Sequence, residues 1–181
     1  MDNVDGHQLT GGHRLTGVHL LRVRYDECDS MGITYHARYL DWFVIGRTEL
    51  LRDVGLPYAE LERAGLLLPV LEARCRYLTS TRYDDWIKLE TRLLGVGRTR
   101  VAFGYRVWRL PDGVAGESVS QDRVSSSAEA RPAEPVLAAE GETSHAFIDA
   151  RHRPIDVKKH FPDVWSKLEP LAHLLRDVKA E

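Results

Sequence analysis

The stretch 37–53 sets what this chain can fold into. Leu40, Phe43, Val44 and Leu51 recur at helical spacing, Ile45 and Leu50 widen the stripe, and Trp42 adds bulk. A helix this apolar is expected to be largely buried, and the segments that follow it read as strands. Residues 66–77, 86–94 and 98–110 are long β-type runs. In the third, Val101, Phe103, Tyr105 and Val107 alternate with Ala102, Gly104, Arg106 and Trp108. A last strand covers about 137–148, and 18–25 (VHLLRVRY) is strand-like with an uncertain buried face. Gly55 and Pro57 end the long helix, and Gly65 stops a short second one at 58–64. One long helix and a largely antiparallel sheet make an α+β layout in which the sheet wraps the helix.

The remaining segments are less ordered in pattern. Residues 1–17 read as a mobile tail. Residues 114–139 are rich in Ser and Ala, hold no aromatic residue, and read as a flexible insertion in a hairpin. From Pro162 onward Trp165, Leu168, Leu171, Leu174, Leu175 and Val178 form a helical stripe interrupted by Pro170, so 156–181 is a C-terminal helical extension. The body is 18–155.

With 181 residues and a net charge of −2, the chain is one domain without the basic character of a nucleic-acid binder. No apolar run is long enough to span a bilayer, and the N-terminus lacks the apolar core of a secretory signal. Two cysteines, Cys28 and Cys75, give no disulfide framework, and the 8 histidines show no metal-ligand spacing. A cytoplasmic protein without a metal or a resident cofactor is expected.

The chemistry concentrates between strand and long helix, in Tyr25-Asp26-Glu27-Cys28-Asp29-Ser30-Met31-Gly32-Ile33-Thr34-Tyr35-His36. A Gly-containing turn here can aim a carboxylate and helix N-terminal N–H groups at one reacting carbonyl. Asp29 is a candidate nucleophile or general base, and His36 lies on the same turn, where a histidine is ordinarily a locally bonded turn residue. An isolated Asp before a helix is ordinarily a turn or cap residue. Asp26 and Glu27 compete with it, and strand parity does not exclude Glu27. Cys28 reads as inert, since no charge pattern marks it as a thiolate. Gly95-Val96-Gly97 lacks the Lys of a P-loop.

The run Tyr25-x-x-x-Asp29-x-x-Gly32-x-x-Tyr35-His36-x-x-Tyr39-Leu40 resembles the hotdog-fold acyl-CoA thioesterases, of the YbgC-like and 4-hydroxybenzoyl-CoA thioesterase group. Gly46-Arg47-Thr48-Glu49, Arg82-Tyr83-Asp84-Asp85 and Gly141-Glu142-Thr143-x-His145-Ala146-Phe147 match in the right order. The resemblance implies a hotdog fold, a long central helix wrapped by a five-stranded antiparallel sheet. It implies homodimers paired edge to edge and assembled into tetramers, with active sites at the dimer interface. It implies an acyl-CoA substrate cut to free acid and coenzyme A, so that coenzyme A is substrate rather than cofactor. Within it, Asp29 is the catalytic carboxylate, His36 and Tyr25 offer polar groups, and N–H groups near Tyr39 hold the thioester oxygen. Arg82, Arg98 and Arg100, at strand ends or beside turns, are candidates for coenzyme A phosphates. A thioesterase acting on carrier-bound acyl groups, or a non-catalytic acyl-CoA-binding protein, are the alternatives.

Overall fold

The computed structural model describes residues 15–111, 132–171 and 173–174. Most of the tail 1–17 and of the insertion 114–139, and the end of the C-terminal extension, lie outside them.

Strands β1 (Thr16–Arg22), β2 (Val70–Tyr77), β3 (Trp86–Val96), β4 (Arg100–Arg109) and β5 (Val136–Ala146) form an antiparallel sheet in the order β1-β3-β4-β5-β2. Helix α1 (Arg38–Asp53) lies on its inner face, and α2 (Tyr58–Arg63) follows it. The inner row of β3 and β4 supplies the core: Ile87, Leu89 and Leu93 against Val101, Phe103, Tyr105 and Val107, all buried. This is the wrapped-helix arrangement expected from the sequence, and the strand β2 is left at one edge.

The face that α1 buries differs from the expected one. Tyr39, Trp42, Phe43, Gly46, Arg47, Leu50 and Leu51 turn inward. Their spacing is helical, but the stripe is rotated from the predicted one: Leu40, Val44 and Ile45 are exposed. The sheet covers only one side of the helix. β2, its side chains mostly exposed, adds Val70, Leu71 and Tyr77 to the uncovered apolar surface.

Two glycines set how close helix and strands approach. A Cβ on Gly46 would stand 2.2 Å from Thr91 Oγ1 and 2.8 Å from Leu89 Cδ2. A Cβ on Gly141 would stand 2.4 Å from the Arg74 carbonyl oxygen and 2.5 Å from the Phe43 ring. The carbonyl belongs to the paired strand β2 and cannot step aside as a side chain can. Gly141→Ala is therefore expected to cost roughly 3 kcal/mol, the upper end for overpacking, measured as a shift in denaturant midpoint at constant slope. A midpoint equal to wild type would show that β2 gives way freely.

Two sequence expectations are corrected. Residues 136–139 are not insertion but the start of β5, with Ala138 and Ala139 fully buried. Small side chains suit that position because the inner face is already filled by Tyr105 and Val107. The C-terminal extension is not one helix. It forms α3 (Val157–His160), α4 (Pro162–Leu168), a 3-10 turn (Glu169–Leu171) and a two-residue strand β6 (His173–Leu174) parallel to the end of β3. Pro162 starts α4 and Pro170, whose ring cannot continue a helix, ends it. Val164, Trp165 and Leu168 are buried on the chain's own body, and the Leu15 N–H donates to the Leu171 carbonyl.

Candidate active site

The segment between β1 and α1 is a small clamped hairpin. Its rungs are Tyr35 N–H to Glu27 O at 2.8 Å, an isolated bridge between Cys28 and Thr34, and Asp29 N–H to Ile33 O at 2.9 Å. Gly32 at the tip has φ +72°, the left-handed region that glycine enters without a Cβ penalty. Asp29 sits at the start of this tip. Its Oδ1 accepts the Met31 N–H at 2.8 Å, which fixes the side chain of this half-buried residue.

The two competing carboxylates are explained by their partners. Glu27 is buried: its Oε2 accepts the Arg24 N–H at 2.7 Å and its Oε1 accepts Trp42 Nε1–H at 3.0 Å. Both oxygens are thus spent tying the hairpin to α1. Asp26 is exposed and pairs with Arg24 at 3.0 Å. Cys28 is half-buried, and burial pushes its thiol up from the ordinary value, the opposite of an activated thiolate.

Three buried hydroxyl residues hold the hairpin to the connection between β2 and β3. Thr81 Oγ1 meets the Tyr39 hydroxyl at 2.9 Å and donates to Thr34 Oγ1 at 2.7 Å, while the Thr81 carbonyl accepts the Thr34 N–H at 2.8 Å. The Tyr77 hydroxyl donates to the His36 carbonyl at 2.9 Å. Thr81→Val removes the shared hydroxyl and strands the buried Tyr39 hydroxyl, while the Thr34 hydroxyl keeps its bond to the Thr81 carbonyl at 3.2 Å, so a loss of about 1–3 kcal/mol is expected. Thr81→Ser should restore stability in a thermal melt; failure of Ser to restore it would mean that the methyl, not the hydroxyl, matters.

The start of α1 adjoins this hairpin. No side chain caps the helix, whose cap position is Ala37. Arg38 N–H reaches Tyr35 O and Leu40 N–H reaches Ala37 O, while the Tyr39 N–H makes no backbone hydrogen bond to a described residue. The positive end of a 16-residue helix therefore opens beside the Asp29 hairpin.

The other sequence candidates are placed as follows. His36 is exposed, its ring 4.3 Å from that of Tyr35, and no hydrogen bond joins it to Asp29 among the described residues. Tyr25 is 82 % exposed and packs edge-on against Tyr83. The Arg82 N–H donates to Asp85 Oδ2 in the turn before β3. Arg98 is ion-paired with Asp156 at the N-terminus of α3. Arg100 is exposed at the start of β4. One chain thus gathers Asp29, His36 and the α1 N-terminus on one segment without linking them into a triad.

Two residues read in the sequence only as parts of motif matches, Arg47 and His145, meet in a second polar cluster inside the core. Arg47 is buried, and its Nη1 lies 2.9 Å from Nε2 of His145, which is fully buried. His145 Nδ1 is 3.2 Å from the Leu68 carbonyl. The same Arg47 Nη1 also lies 2.8 Å from Nδ1, so the guanidinium, which can only donate, sits against both ring nitrogens and disfavours a second proton on the ring. Nε2 also meets Thr143 Oγ1 at 2.9 Å, which meets the Tyr105 hydroxyl at 2.8 Å. Burial, and then the guanidinium, pull the His145 pKa down to about 4. The sequence signal was their place in two of the motif matches, with nothing in the spacing to show that the two would meet.

Among the described residues no group of three or more His, Cys, Asp or Glu is placed to hold a metal ion, and no helix is long and apolar enough to cross a membrane.

Known proteins share this arrangement. A family model described as the thioesterase-like superfamily matches residues 23–168. The putative acyl-CoA thioesterase YneP of Bacillus subtilis is 31% identical over 144 residues, covering 79% of this chain and 88% of that protein. The DHNA-CoA thioesterase of Staphylococcus aureus superposes with a TM-score of 0.67 at 26% identity, over 84% of this chain and 89% of that one. A hypothetical protein of Thermus thermophilus gives 0.66 at 27% identity, over 86% and 97%. The fold is the hotdog fold. With the family model spanning the Asp29 hairpin, α1 and strands β2 to β5, this chain belongs to the thioesterase-like superfamily.

Proposed function

We propose that the protein hydrolyses acyl-CoA thioesters with Asp29 as the catalytic carboxylate. The observation that carries this is the Asp29 side chain, fixed by the Met31 N–H at the tip of a clamped hairpin, beside an uncapped helix N-terminus. A thioester needs an attacking oxygen and a donor for the developing oxyanion, and this pairing supplies both. In the nucleophilic route an Asp29 oxygen bonds to the acyl carbon, coenzyme A leaves as thiolate and takes a proton from solvent, and water then cleaves the anhydride. In the general-base route Asp29 takes a proton from the water that attacks. In both, the Tyr39 N–H receives the oxyanion. His36 and Tyr25 line the approach.

A second copy of the chain completes the site. The unpaired edge of β2 and the exposed Leu40, Val44, Ile45, Val70, Leu71 and Tyr77 form one apolar face that a two-fold partner would cover. Homodimers, and tetramers built from them, follow. Of the coenzyme A candidates, Arg100 carries no competing ion pair among the described residues, and Arg98 must give up Asp156 to bind phosphate.

Free-thiol release from a panel of thioesters tests the reading. The panel runs from acetyl- to palmitoyl-CoA, adds benzoyl- and phenylacetyl-CoA, and includes a carrier-bound acyl group. Turnover of at least one CoA ester is expected. Turnover of the carrier-bound ester alone would move the substrate to the carrier class, and none at all would make the protein a binder.

A further inference from the structure

The outer face of the sheet, away from α1, carries a groove of about 450 Å³ whose walls are arginines from three strands. Cross-strand pairing explains how they meet. One row across the sheet reads Arg92 on β3, Gly104 on β4, Glu142 on β5 and Arg74 on β2. The next reads Glu90, Arg106, Glu140 and Arg76. Strand alternation puts both rows on the face opposite the buried Thr91, Phe103 and Tyr105. Gly104 raises no side chain of its own between Arg92 and Glu142; the Leu94 side chain, from the irregular end of the β3–β4 pairing, lies against it, 3.0 Å from where a Cβ would stand.

The charges do not cancel. Arg76 is paired with Glu140 at 2.7 Å, and Glu90 is held by Lys88 at 2.8 Å with Arg106 as a further neighbour. Arg74 and Arg92 form no ion pair among the described residues, and both line the groove. Four guanidinium groups face two carboxylates there, Glu140 and Glu142, an excess of two positive charges. Arg74 and Arg92 start three strand spacings apart, roughly 14 Å, a span that suits a ligand of nucleotide size rather than a single small ion. Planar guanidinium forks match phosphate oxygens in bidentate geometry.

We propose that this groove binds a phosphate-bearing small molecule, with Arg74 and Arg92 as its principal contacts and Arg106 beside them. The sheet itself separates the groove from the Asp29 hairpin, which lies with α1 on the other face. Binding here is therefore independent of the thioester reading.

The test is a calorimetric titration with pyrophosphate, adenosine 3′,5′-bisphosphate and acetate, at low salt, on wild type, Asp29→Asn and the double variant Arg74→Gln/Arg92→Gln. Saturable binding of the phosphate compounds but not acetate is expected. It should be unchanged in Asp29→Asn and weakened at least tenfold in the double variant, whose melting temperature should match wild type because Arg74 is exposed and Arg92 half-exposed. A tenfold preference for the bisphosphate would assign a nucleotide ligand; equal affinity would assign phosphate recognition alone. Absence of saturable binding, or equal binding by the double variant, would overturn the proposal.

Discussion

Asp29→Asn should leave a folded protein whose thioester hydrolysis is at least about 1000-fold slower, a rise of roughly 4 kcal/mol in the activation barrier. The substitution is nearly isosteric. The amide oxygen still accepts the Met31 N–H, so the hairpin tip keeps its one local tie to this side chain. Gly32 keeps its positive φ and the Thr81 clamp is untouched. What is lost is a charged oxygen able to attack carbon or take a proton. Steady-state kcat alongside a melting curve checks both halves: a collapse in kcat with an unshifted melt is expected. A parallel loss of stability would instead make Asp29 a structural turn residue, the ordinary role of an Asp at such a position.

The second large effect is on acid stability, through His145. In the folded protein its pKa lies at about 4, against the ordinary 6.5. Between these values the unfolded chain binds a proton that the folded ring refuses, so stability falls as pH drops from about 6.5 to about 4 and the loss is complete below that. A gap of this size corresponds to about 3 kcal/mol. The refusal is physical: burial disfavours the charged ring, and a second proton on either nitrogen would face the Arg47 guanidinium. Carboxylates also titrate in this range, so the informative quantity is the stability difference between wild type and His145→Gln. That difference should shrink by about 3 kcal/mol from pH 7 to pH 4 in urea unfolding. A difference independent of pH would mean that the ring is solvated or already charged in the fold.

The contrast between these two sites shows what a linear sequence can carry. The Asp29 hairpin is local: carboxylate, glycine, histidine and helix start lie within about a dozen residues, so the sequence displays the motif whole. Even there the choice among Asp26, Glu27 and Asp29 was not legible from strand parity. The fold accounts for Glu27 alone, which holds Arg24 and Trp42 with both oxygens. Arg47 and His145 are 98 residues apart and join only through the sheet order that sets β5 beside the inner face of α1. The four arginines of the outer groove are equally scattered, and only the strand register gathers them.

The long helix was legible as an element, but its buried face was not. Leu40, Val44 and Ile45 widen the apolar stripe beyond what one sheet covers, so a stripe centred by counting apolar residues is pulled toward the uncovered side. The last strand was read from about 137, but the insertion was carried on to 139 because Ala138 and Ala139 belong by composition to the Ser- and Ala-rich stretch before them. Their burial, not their type, marks them as strand. The tail was legible as helical from Pro162, but Pro170 was read as a break within a longer stripe rather than as the stop of a short helix.

The most direct test of the central claim compares two neighbouring carboxylates in one assay. Thiol release from the best acyl-CoA of the panel should be measured for wild type, Asp29→Asn and Asp26→Asn. Asp26 shares the hairpin and the charge but is exposed and paired with Arg24. Hydrolysis that falls at least about 1000-fold in Asp29→Asn and stays within a few-fold of wild type in Asp26→Asn is the expected result. Near-wild-type hydrolysis in Asp29→Asn would contradict the assignment of the catalytic carboxylate.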